Sequence, residues 1–111
     1  MSGAESIIEQ LMAVIQDRKA NPPARSYTTK LLNGGTPAIG AKIVEEAAEV
    51  VEAAEGSDAE QRAHLIYESA DLLYHLCVLL GYRDIKWAEV EAELGRRFGI
   101  SGLDEKESRN G

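Results

Sequence analysis

The sequence offers little to cross-link itself with. It has one cysteine, Cys77, so no intrachain disulfide can form and a reducing compartment suits it. Aromatic residues make up only 5% of the chain, which argues against a sheet-rich fold. No purely apolar run is longer than Leu76 to Leu80, which is far too short to cross a bilayer. There is no period-2 alternation, internal repeat or low-complexity tract. The N-terminus is acidic and lacks the basic segment of a secretory leader. These absences predict a soluble cytoplasmic protein with no membrane partner.

What is present fits one helical domain. The 111 residues are 44% hydrophobic and 28% charged, with Ala and Leu frequent. The formal net charge of −7 argues against a nucleic-acid partner. That charge is uneven. Residues 1–43 hold five basic against three acidic residues, and the remainder holds seven against sixteen.

Helical spacing of Ile7, Ile8, Leu11, Met12 and Ile15 predicts a first helix over Glu5 to Arg18, capped by Ser2 or Ser6. Pro22 and Pro23 stop it. Ser26 caps a short helix that Gly34 and Gly35 end. Thr36 caps the next, with Pro37 at its first position, and this helix runs to about Glu55. Ser57 or Asp58 caps a third, ending near Leu80 and Gly81. A fourth spans roughly Lys86 to Arg97, with Trp87, Val90, Leu94 and Phe98 at helical spacing. Residues from about 100 to 111 are a flexible end or a docking segment. The predicted fold is all-α, with two long helices joined by a short turn into a central antiparallel hairpin.

Two acidic groups stand out on that hairpin. Glu45, Glu46 and Glu49 project over adjacent turns of one helix, and Glu68 and Asp71 lie i, i+3 on the next. Ile43, Ala47, Val50 and Ala54 form an apolar row beside the first group. Leu65, Leu72, Leu76 and Leu79 do so beside the second. Carboxylates flanking such rows are partly buried and need neutralising. From Val44 to Ala70 the only basic residue is Arg62. An all-oxygen ligand set suits Mg²⁺, with Mn²⁺ as a substitute, better than zinc. The competing reading is a solvated acidic face, since Glu is a good helix former.

The pattern EExxE, a gap, then ExxD resembles the all-α nucleotide pyrophosphohydrolases of the MazG type. More narrowly, SYTTKLLNGG, KIVEEAAE, YESADLLYHLCVLL and GISGLDEKESR resemble the phosphoribosyl-ATP pyrophosphohydrolase family of histidine biosynthesis. The likeness runs from Ser26 to Arg109. It implies Mg²⁺-dependent conversion of phosphoribosyl-ATP to phosphoribosyl-AMP and pyrophosphate, the second step of that pathway. It also implies a stand-alone enzyme, without a fused cyclohydrolase domain, working as a homodimer. By motif position, Glu46, Glu49, Glu68 and Asp71 are the implied metal ligands. Glu45 is a further ligand or the residue that orients or deprotonates the water.

Other residues carry two readings each. Lys42 contacts a substrate phosphate or forms an i, i+4 salt bridge with Glu46. Lys30, with Ser26 and Tyr27, binds substrate or belongs to a capped surface helix. His75 contacts substrate, or is a hydrogen-bonded core residue. Tyr74 packs at a dimer interface, Cys77 is a small core hydrophobe, and Trp87 and Phe98 are core or interface anchors. Lys106 and Arg109 close over phosphates or are solvated. Two other functions remain open: a housekeeping pyrophosphatase for triphosphates such as dUTP, and an acidic helical binding module.

Overall fold

The computed structural model describes residues 6–98, and over them the chain is all-α: α1 (Ile7–Ala20), α2 (Tyr27–Ala53), α3 (Ala59–Tyr82) and α4 (Trp87–Arg96). The predicted tail lies outside the described residues. Each start has a local cause. Ser6 Oγ accepts from the Glu9 amide at 3.1 Å while Glu9 Oε1 accepts from the Ser6 amide at 3.1 Å, a reciprocal cap for α1. Ser26 Oγ accepts from the Thr29 amide at 3.1 Å, and Asp58 Oδ1 from the Gln61 amide at 2.8 Å. At α4 the Lys86 amide donates to Glu89 Oε2 at 2.9 Å.

α2 is two limbs, 27–34 and 36–53, separated by Gly35 at φ 67°, ψ −162°. Only glycine adopts that backbone at low cost, and Pro37 restarts the helix where its missing N–H is no loss. The limbs meet α3 in different registers. Tyr27 bonds His75, and a Cβ on Gly35 would stand 3.0 Å from the Tyr82 hydroxyl. Farther along, Glu46 meets Glu68 and Asp71. Contact positions on α3 therefore rise along the first limb and fall along the second, which brings Tyr27 and Glu46 to the same stretch of α3.

The core joins Met12 and Ile15 of α1, Leu31, Leu32 and Ile39 of α2, and Cys77 and Val78 of α3. Trp87 packs against its edge. Gly81 lets α1 approach closely, since a Cβ there would stand 2.7 Å from Ile15 Cγ2. Lys19 Nζ donates to the carbonyls of Gly81 and Tyr82, both at 3.1 Å, and to Asp84 Oδ1 at 2.7 Å. A cation thereby satisfies acceptors that the end of α3 leaves open.

Two expectations are corrected. Phe98 is no core residue within the chain: it is 82% exposed, because α4 ends before it and nothing described covers its ring. Ala47 and Ala54 are exposed, so the row beside the acids is narrower than the spacing suggests. Tyr74 stacks on Tyr27 with ring centroids 6.2 Å apart.

Candidate active site

Glu46, on the second limb of α2, and Glu68 and Asp71, one turn apart on α3, each bring one carboxylate oxygen within 4.8 Å of the others. Glu46 is 7% exposed and Glu68 5%. Glu46 Oε2 and Glu68 Oε2 are buried with no hydrogen-bond partner. Two ionised, undonated oxygens at close quarters are costly. A shared proton relieves part of that cost. Its mark is the Glu68 carboxyl, pushed up to about 7 by hydrogen bonding to Glu49, then by burial and by bonding to Glu46. Glu46 is also pushed up, chiefly by burial, with bonding to Glu68 acting the other way. A divalent cation relieves the cost more fully, because it satisfies all the oxygens at once.

Glu49, half-buried and one turn beyond Glu46, adjoins this group closely enough to be the first cause of the raised Glu68 pKa. Glu45 lies apart, exposed and 3.4 Å from Lys42 Nζ. Lys42 thus pairs with Glu45 at i, i+3 and not with Glu46. That bond raises the Lys42 pKa.

Beside the acids is a polar and aromatic cluster. His75 is buried, with Nδ1 2.9 Å from the Asp71 carbonyl oxygen and Nε2 2.9 Å from the Tyr27 hydroxyl. The Thr28 hydroxyl bonds the Tyr74 hydroxyl. Burial raises the Tyr27 pKa, and Lys42 partly offsets it. Ser26 spends its hydroxyl on the helix cap. Lys30 is exposed on a cleft at the start of α2. Sequence reasoning missed Thr29 and Arg25, which line the same cleft as Ser26 and Tyr27.

Fold and site together define an all-α protein with a buried carboxylate cluster able to hold a metal ion, beside a cleft suited to a polar small molecule. The chain belongs to the phosphoribosyl-ATP pyrophosphohydrolase family, whose pattern matches residues 8–98. It is similar to the phosphoribosyl-ATP pyrophosphatase of Rhodopirellula baltica, 54% identical over 92% of this chain and 85% of that one. The protein of that name from Geotalea daltonii is 49% identical over 96% and 97% of the two chains. That from Geobacter sulfurreducens is 46% identical over 99% of each.

Proposed function

We propose that this chain, as a single domain, hydrolyses the α–β phosphoanhydride of phosphoribosyl-ATP to phosphoribosyl-AMP and pyrophosphate in histidine biosynthesis. The supporting observation is the pair of buried, unpartnered oxygens on Glu46 and Glu68. The residues fit a hard divalent cation, Mg²⁺ or Mn²⁺, held by Glu46, Glu68 and Asp71 with Glu49 alongside. When bound, such an ion supplies charge neutralisation at the phosphoanhydride and lowers the pKa of water.

The chain's own groups do the rest. Glu45, at the exposed rim, orients or deprotonates the attacking water. Lys42 stands next to it and reaches a phosphate oxygen by exchanging its exposed Glu45 bond. Tyr27 and Lys30 contact the nucleotide from the first limb. Ser26 fixes where that limb begins, and His75 holds the Tyr27 hydroxyl in place.

The working form in this proposal is a homodimer built on a central antiparallel hairpin. Val44 (72% exposed) and Val51 (66%) of α2, with Ile66, Tyr67 and Leu73 of α3, are exposed apolar side chains that a second copy would cover. Among the described residues no helix is long and apolar enough to cross a membrane. A cytoplasmic location agrees with this chemistry.

The test is pyrophosphate release from phosphoribosyl-ATP, ATP and dUTP, with and without Mg²⁺. Mg²⁺-dependent release from phosphoribosyl-ATP alone is expected. Release from ATP or dUTP instead would make it a housekeeping pyrophosphatase, and release from none would leave an acidic binding module.

A further inference from the structure

We propose that Arg25 and Lys30 form a separate anion site that takes the 5′-phosphate of the substrate's second ribose and so separates phosphoribosyl-ATP from ordinary triphosphates. This rests on the pyrophosphohydrolase reading above. A cleft of about 610 Å³ opens at the start of α2, lined by Arg25, Ser26, Tyr27, Thr29, Lys30 and Asn33 among others. That volume suits a sugar phosphate.

Five cations among the described residues are spent on ion pairs, and those on this cleft are not. Lys19 pairs with Asp84, Lys42 with Glu45, Arg18 with Asp17, and Arg96 and Arg97 with Glu93. Arg25 and Lys30 have no acidic partner among the described residues, in a chain of net charge −7. The Thr29 hydroxyl, on the same cleft, is buried with no hydrogen-bond partner. Two unspent cations and an unspent hydroxyl on one polar cleft match a phosphate, which arginine grips through its planar fork and lysine as a point charge.

A chain of two hydrogen bonds links the cleft to the helix turn that carries Asp71. Tyr27 lines it, and the Tyr27 hydroxyl is 2.9 Å from His75, whose Nδ1 is 2.9 Å from the Asp71 carbonyl oxygen. Phosphoribosyl-ATP carries phosphate at two ends. On that reading the carboxylate cluster takes the triphosphate end, through a cation, because that is where the anhydride is cleaved. ATP and dUTP have that end alone. A site that reads the second end is therefore what distinguishes the substrates.

The experiment compares kcat/KM for phosphoribosyl-ATP with that for the same nucleotide lacking the second ribose's 5′-phosphate. It uses the unaltered chain, Arg25→Gln, Lys30→Gln and the double variant. The unaltered chain should prefer the phosphorylated substrate, and each variant should cut that preference by about tenfold through a higher KM. A folding defect lowers both rates together and leaves the ratio intact, so the ratio reports recognition. An unchanged ratio in the double variant, in a chain that does turn over phosphoribosyl-ATP, overturns the second site alone. No turnover of phosphoribosyl-ATP by the unaltered chain overturns the enzymatic reading and this site with it.

Discussion

His75 and Tyr27 share one hydrogen bond whose direction is fixed by a third group. His75 Nδ1 faces the Asp71 carbonyl oxygen, which only accepts, so Nδ1 carries the proton. In the neutral ring Nε2 is then the acceptor, and the Tyr27 hydroxyl donates to it. The expected tautomer is Nδ1–H, readable from long-range proton–nitrogen correlations of the imidazole. Tyr27→Phe leaves Nε2 without its donor and should destabilise the fold by about 1–3 kcal/mol in urea unfolding. An Nε2–H tautomer, or a Tyr27→Phe chain of unchanged stability, would contradict this arrangement.

Gly35→Ala should be among the costliest single-methyl additions. The backbone at φ 67°, ψ −162° disfavours any Cβ, at about 1–3 kcal/mol. The new methyl would also press on the Tyr82 hydroxyl at 3.0 Å. Gly40→Ala is the control, because no atom stands within 4 Å of its Cβ position. Equal melting temperatures for the two variants would show that the reversal between the limbs is not held at Gly35.

These two sites show what was legible in the sequence. The caps at Ser6, Ser26 and Asp58 and the break at Gly34 and Gly35 are local signals, and the helices begin and end within a few residues of them. The acids' convergence followed from helical spacing plus one turn. Tertiary choices were not legible. Spacing alone gives Lys42 two equivalent acids, and the structure selects Glu45. Nothing local says that the first limb lies along α3 so that Tyr27 reaches His75.

Glu68 gives the chain a pH dependence that metal should erase. Its carboxyl is raised from an ordinary 4.5 to about 7 in the folded state. The folded chain therefore holds that proton more tightly than the unfolded one. The stability it contributes is fully present below about pH 4.5 and is lost as pH rises through about 7. With chelator present, the melting temperature should fall between about pH 5 and 8. Millimolar Mg²⁺ replaces the proton and should flatten the fall. A profile in chelator that is level across this range would count against the crowded carboxylates.

Neutralising the acids should separate stability from activity. Asp71→Asn, Glu49→Gln and Glu68→Gln each remove a negative charge from the cluster while keeping its shape. Pyrophosphate release should drop by more than about 100-fold, since even groups behind a metal ligand are worth about 10–100-fold. In chelator at pH 8, Glu68→Gln should melt at a higher temperature than the unaltered chain, because a like charge has left a buried site. Turnover unaltered in all three variants would remove the cluster from the mechanism.

The exposed apolar side chains of α2 and α3 set the last expectation. Val44 and Val51 are two turns apart on α2, as are Ile66 and Leu73 on α3, and all four are exposed within one chain. Exposed apolar side chains favour association in water, and a two-fold dimer would cover them on both copies at once. Val51→Glu would bury a charge without a partner at that contact and should weaken association by about 100-fold or more. Val14→Glu on α1 is the control, at an exposed valine outside this group. Light scattering across a dilution series should show dimers for the unaltered chain and for Val14→Glu, and monomers for Val51→Glu. Monomers at every concentration for the unaltered chain would mean that a second copy does not cover these side chains.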